Sequence, residues 1–164
     1  MTNEDSRFSF HSQEPEQTRS AGVALARVLP GDGIVLSLSG ELGAGKTQFV
    51  KGLAEGLGLD PNSVTSPTFA IVNEYRPTAG PPLIHMDFYR LESEMALEEV
   101  GFLDLLALGG VLAIEWAIAF PIHCPRIEWK FSWIASSTAR TRPRTPRLAS
   151  RNLRERSASP HWDR

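Results

Sequence analysis

Short apolar runs alternate along the chain with stretches in which apolar residues recur every three or four positions. Phe8 and Phe10 flank Ser9 and suggest a short strand. From Glu14 to Leu29, Ala21, Ala24, Leu25 and Leu29 share one face of a predicted helix that Pro30-Gly31 ends. Ile34 to Leu38 is a compact apolar run bounded by Asp32-Gly33 and Ser39-Gly40, the pattern of a buried strand. After it, Phe49, Val50, Leu53, Ala54 and Leu57 return to helical spacing, with Gly58 placed to close the helix.

The second half of this pattern reads likewise. Phe69 to Tyr75 and Leu83 to Tyr89 are predicted strands joined by the turn-rich RPTAGPP, so they should pair as an antiparallel hairpin. A helix is expected through Glu92 to Leu108 with a break near Gly101, and Val111 to Trp116 has the aliphatic content of a central strand. Strands alternating with helices predict an α/β sandwich with a mixed, largely parallel sheet flanked by helices.

Composition divides the chain unevenly. Residues 1–120 hold 7 Lys and Arg against 16 Asp and Glu, whereas residues 121–164 hold 10 against 3. The later stretch is rich in Arg, Pro, Ser and Thr and lacks a sustained period of 2 or 3.6 outside Ile127 to Ile134. The expected organisation is therefore one domain over 1–120 followed by an atypical tail over 121–164. The overall charge of −2 gives no reason to expect nucleic-acid binding by charge alone. A single cysteine, Cys124, excludes an internal disulfide, and the acidic start MTNEDSRFSF is neither a signal nor a transit peptide. Leu103 to Phe120 is interrupted by Asp104, Gly109-Gly110 and Glu115, which excludes a membrane span there. The expectation is a cytoplasmic protein.

The chemistry is carried first by GELGAGKT at 40–47, which has the G-x-x-x-x-G-K-[ST] spacing of a phosphate-binding loop between a strand and a helix. In such a loop the backbone amides of Glu41, Leu42, Gly43, Ala44, Gly45, Lys46, Thr47 and Gln48 surround the phosphates, and the helix presents its positive end to the same anion. Lys46 is expected to reach the β- and γ-phosphates, and the Thr47 hydroxyl to bind Mg²⁺. A magnesium ion needs further oxygen ligands, and hydrolysis needs a group that orients water. Asp87 and Glu115, each near the carboxyl end of a predicted strand, are the candidates; spacing leaves open which of them lies nearer the metal. Thr65, Ser66 and Thr68 cluster hydroxyls around Pro67 on a loop before a strand, a candidate switch for the γ-phosphate whose bland alternative is a plain turn.

These residues together resemble the TsaE family, small bacterial P-loop ATPases needed for making N6-threonylcarbamoyladenosine in tRNA. The resemblance runs from about residue 8 to 116 through GELGAGKT, VTSPTF, HMDFYRL, EEVGF and IEW. It implies a P-loop NTPase-like fold, ATP and Mg²⁺ as cofactors, and ATP rather than GTP as the nucleotide, a choice the loop itself does not make. It also implies that Lys46, Asp87 and Glu115 act in catalysis, that Thr65 to Phe69 form a switch-like loop, and that Trp116 belongs to the ATPase site. The implied partners are TsaD and TsaB, whose complex transfers the threonylcarbamoyl group to the adenosine at position 37 of tRNA, so tRNA is met indirectly. The chain would be the ATPase and not the transferase.

The sequence departs from the family after IEW, where alternating strands should complete the sheet. A reading frame lost at or just after Trp116 is one account of the Arg-rich continuation, and it implies an unfinished sheet and reduced stability. A native basic tail that binds tRNA phosphates is the other. Two further functions share the loop. A small-molecule or nucleoside kinase would need arginines to clamp the transferred phosphoryl group, and between Lys46 and Phe120 the chain offers only Arg76 and Arg90. A nucleotide-dependent binding module with little turnover would rest on the VTSPTF loop.

Overall fold

The computed structural model describes residues 8–29, 33–67, 70–91, 93–117, 128–135 and 144–152. In chain order the elements are β1 (Phe8–Ser9), α1 (Pro15–Ala26), β2 (Ile34–Ser39), α2 (Lys46–Gly56), a 3₁₀ turn (Pro61–Ser63), β3 (Val72–Tyr75), β4 (Leu83–Asp87), α3 (Glu94–Glu99), α4 (Phe102–Ala107), β5 (Val111–Glu115), β6 (Glu128–Ala135) and β7 (Arg144–Asn152). One seven-stranded sheet runs β1-β7-β6-β2-β5-β4-β3. Its four central strands, β6, β2, β5 and β4, are parallel, and antiparallel pairs close both edges. The mixed α/β sandwich expected from the alternation of elements is the fold observed.

Strand parity sorts the core into two layers. Ile34, Leu36 and Leu38 of β2, with Val111 and Ala113 of β5 and Leu83 of β4, pack beneath α1 and α2 through Leu25, Phe49, Val50 and Leu53. The alternate positions Val35, Ile84, Met86, Leu112 and Ile114 face the opposite layer, where Phe88 and Phe102 meet edge to face and α3 and α4 lie alongside. Odd-numbered positions of β4 and β5 therefore all face the α1–α2 side, a rule that also governs His85, Asp87 and Glu115 at the ends of those strands.

Helices α1 and α2 approach closely because glycines face each other. A Cβ on Gly52 would collide with the Arg19 carbonyl, and one on Gly22 with the Phe49 carbonyl. The pair is fastened at its rim by Arg19 Nε donating to Glu55 Oε2 at 2.8 Å. The break expected near Gly101 is present: at φ 68° that residue divides the helical stretch into α3 and α4. Ile71, at φ 64°, delays the entry to β3, so the strand begins at Val72 instead of residue 69.

The end of the chain adds strands that the hydrophobic pattern does not predict. No strand is expected past Ile134, and the sheet is expected to lack its completing strands. In the structure β6 lies parallel to β2, Val35 opposite Glu128 and Ser39 opposite Ser132, and β7 pairs antiparallel to β6. Phe131 and Trp133 point into the α1–α2 layer, where Phe131 meets Phe49 with ring centroids 4.9 Å apart. β6 and β7, both beyond the boundary expected at residue 120, lie in the same sheet as β2.

Candidate nucleotide site

Strand β2 ends at the centre of the sheet, and the loop that follows it turns directly into α2. Gly40, Gly43 and Gly45 have φ of 148°, 73° and 113°. At two of these the need for glycine is concrete: a Cβ on Gly40 would lie 2.8 Å from the Trp133 Cβ, and Gly45 caps α2 in a left-handed conformation. The N-cap, Gly45, has no side chain to cap α2, and no acidic residue stands in the first turn of that helix. Its leading N–H groups and the positive end of its dipole are left for an anion. Trp133 runs along the outside of this loop, its indole nitrogen buried without a partner among the described residues.

Lys46 opens α2 and is only 5% exposed. Its Nζ donates to the carbonyls of Gly40 at 2.9 Å and Glu41 at 3.1 Å, and lies 3.4 Å from Glu115 Oε2. The same ammonium sits 5.5 Å from the centre of the Trp116 ring. Glu115, at the carboxyl end of β5, is equally buried. Its other oxygen, Oε1, is 3.0 Å from His85 Nε2. Burial alone would raise the Glu115 carboxyl, but the hydrogen bond with His85 and the neighbouring Lys46 ammonium outweigh it and hold the group below its ordinary value. The result is a buried chain, His85 to Glu115 to Lys46, linking β4 through β5 to the phosphate loop.

Asp87 stands directly opposite Glu115 in the β4–β5 register, on the same face of the sheet. It is half-buried, and its Oδ1 accepts from the Tyr89 amide at 2.9 Å, a bond that turns the chain out of β4 two residues before the expected end of the strand. The two acids therefore differ in setting: Glu115 is bound to Lys46 and His85, and Asp87 lies beside them with access to solvent. Trp116 follows at φ 60°, held by its amide donating to Leu38 O at 3.2 Å, and its ring meets Tyr89 at 5.3 Å.

The remaining expected residues divide. Thr47, Gln48, Ala44 and Gly45 are half-buried at the loop and first turn, and Glu41, Leu42 and Gly43 form its exposed tip. Thr65 is tied to β3: its amide donates to Tyr75 Oη at 3.2 Å, and Asn73 Nδ2 donates to its Oγ1 at 3.3 Å and its carbonyl at 3.4 Å. Ser66 is exposed, and Thr68 lies outside the described residues. His85 and Trp133 were not expected at the site. Parity within HMD could have found His85, since it shares a face with Asp87; Trp133 had no comparable signal, because its strand was read as part of the tail.

Among the described residues no three of His, Cys, Asp and Glu converge on one point. A magnesium ion here would thus be shared with phosphate oxygens instead of held in an all-protein cage, the usual habit of that ion. The oxygen donors near the loop, the Thr47 hydroxyl and the Asp87 and Glu115 carboxylates, fit such a hard cation.

A glycine loop wedged between a central parallel strand and an uncapped helix, with its lysine paired to the acid of the neighbouring strand, defines a P-loop NTPase-like α/β sandwich. The sequence model for "Threonylcarbamoyl adenosine biosynthesis protein TsaE" matches residues 12–143, and the chain belongs to the TsaE family. The proteins of this family take part in the biosynthesis of threonylcarbamoyladenosine in tRNA. The tRNA threonylcarbamoyladenosine biosynthesis protein TsaE of Bacillus subtilis is 45% identical over 112 residues, 68% of this chain and 67% of that protein. The Synechocystis protein of the same name is 42% identical over 122 residues, 73% of this chain and 75% of its own length. The chain thus spans about two thirds to three quarters of these relatives. The crystal structure of Bacillus subtilis YdiB superposes with a TM-score of 0.63 at 29% identity, covering 91% of this chain and 88% of that one. No helix among the described residues is long and apolar enough to cross a membrane.

Proposed function

We propose that the chain binds ATP with Mg²⁺ and hydrolyses it as a component of the machinery that forms N6-threonylcarbamoyladenosine at position 37 of tRNA. It acts in the cytoplasm with the TsaD and TsaB proteins and is not itself the transferase. The observation that carries the reading is the buried Lys46, held at 2.9 Å and 3.1 Å by carbonyls of its own loop and at 3.4 Å by Glu115. Those contacts stand in for phosphate oxygens and keep the ammonium poised where an anion displaces the carbonyls.

The loop amides and the start of α2 bind the phosphate chain, and Lys46 neutralises charge on its outer oxygens. Thr47, through its hydroxyl, and Asp87 or Glu115 are the residues that would hold a magnesium ion. The magnesium ion would supply neutralising charge to the phosphate oxygens. Glu115, ionised and fixed between His85 and Lys46, keeps Lys46 in place, and the more open Asp87 can reach an attacking water. The Trp116 ring closes one side of Lys46 and limits its hydration.

The kinase alternative is weakened by Arg76, whose guanidinium is already paired to Glu74 on β3. Phosphate release measured with and without the partner complex tests the proposal, with Lys46→Ala as control and restored threonylcarbamoyl transfer to tRNA as the final readout. Turnover in Lys46→Ala equal to that of the unmodified chain, or rapid phosphoryl transfer to a small-molecule acceptor, would reject it.

A further inference from the structure

His85 has no part in phosphate binding, yet it occupies a place where β4 otherwise puts Leu83, Ile84 and Met86. It is 0% exposed. A polar ring at such a position is costly unless hydrogen-bonded, and here only half of the ring is satisfied: Nε2 meets Glu115 Oε1 at 3.0 Å, and Nδ1 is buried without a partner among the described residues. An aliphatic side chain would serve packing better, so stability alone does not account for it.

We propose that His85 is a positioning residue for the ATPase site, its Nε2–H fixing Glu115 Oε1 so that Oε2 alone faces Lys46. The proposal rests on the function proposed above for its consequence in turnover, though not for the pairing itself. The orphaned Nδ1 sets the direction of the bond. A carboxylate accepts, so the ring hydrogen must lie on Nε2, and the lone pair left on Nδ1 is the less costly orphan, since a buried N–H without an acceptor is rarer than an under-satisfied acceptor. Strand geometry explains why this residue can do so. In the β4–β5 pair His85 lies opposite Ala113, whose methyl leaves room on the α1–α2 face, and the imidazole spans one register step to reach Glu115. With Oε1 occupied, Glu115 offers Lys46 a single oxygen. Freed from His85, the carboxylate can turn both oxygens to the ammonium and draw it from the γ-phosphate, a group that ADP lacks.

The ring position of the donor makes the test specific. The amide nitrogen of glutamine reaches about as far as Nε2, whereas that of asparagine reaches only as far as Nδ1. We expect His85→Gln to retain at least about a third of wild-type kcat, and His85→Asn and His85→Leu to lose about 10- to 100-fold, the range seen for groups that orient a functional carboxylate. Affinity for ADP by calorimetry should change less than about threefold in all three. Equal losses in the three variants, or full activity in His85→Leu, would overturn the inference.

A second measurement does not depend on turnover. Nitrogen-15 NMR of the histidine-labelled chain at pH 8, with the His85 signal assigned by its loss in His85→Gln, should show the hydrogen on Nε2. Glu115→Gln should shift that signal. A hydrogen on Nδ1, or a signal indifferent to Glu115→Gln, would sink the pairing. Should the unmodified chain fail to hydrolyse ATP, the proposed function falls while the tautomer still decides the role given to His85.

Discussion

Replacing Phe131 by alanine probes whether the chain after residue 120 belongs to the folded unit. The ring is fully buried and sits between β2 and α2, 4.9 Å from Phe49 by centroid, with Trp133 approaching the same Phe49 edge-on at 5.5 Å. Removing it deletes a large apolar group and leaves a void that the parallel β2–β6 pair and the glycine-tight α1–α2 contact are poorly placed to fill. Buried Phe→Ala changes cost about 3–5 kcal/mol, against a total stability of about 5–15 kcal/mol for such a domain. At about 2–4 °C per kcal/mol for a chain of this size, the melting temperature should fall by roughly 6–20 °C. Urea titration gives the free energy, and Ile134→Thr, on a half-exposed side chain of the same strand, should stay within about 1 kcal/mol of wild type. A Phe131→Ala midpoint indistinguishable from wild type would show that β6 does not cover α2, and the seven-stranded sheet would have to be abandoned.

Other consequences are as direct. Because the folded Glu115 carboxyl titrates below its unfolded value, its contribution is complete above about pH 5 and is lost as pH falls through the carboxylate range. The stability of wild type relative to Glu115→Gln, from urea titrations, should therefore shrink from about pH 6 to pH 3, and a gap that grows on acidification would contradict the assigned shift. Thr47→Val should leave ADP binding without magnesium near wild type while weakening its magnesium dependence about 10-fold or more; an unchanged magnesium titration would exclude the hydroxyl as a ligand. Gly52→Ala should destabilise by about 1–3 kcal/mol in urea, since the added methyl meets the Arg19 carbonyl and the helices must part; a neutral or stabilising result would refute the close contact.

The central parallel strands and the loop were legible because each carries its own local signal: an unbroken apolar run in Ile34–Ser39 and Val111–Glu115, and glycines at fixed spacing between them and α2. The end of the chain was not, because the alternation of Trp129, Phe131 and Trp133 spans only five positions and is followed by an arginine-rich stretch whose composition suggests a tail. What makes β6 a strand is its pairing with β2, a contact absent from any local window. The site shows the same division. Lys46, Asp87 and Glu115 followed from motif and strand ends, but the unequal settings of the two acids depend on side-chain packing: Glu115 reaches inward to His85 and Lys46, while Asp87 is turned toward the Tyr89 amide.

The place of β6 beside β2 bears on how the protein is made. The two strands are separated by about 90 residues of chain, so one side of the phosphate loop's supporting strand is bare until residues 128–135 have left the ribosome. Such distant pairing is slow to form, and an unpaired central strand is open to association with other chains in the interval. A nascent chain halted near residue 120 would carry every residue of the loop and still lack the wall against which Gly40 and Phe49 are set.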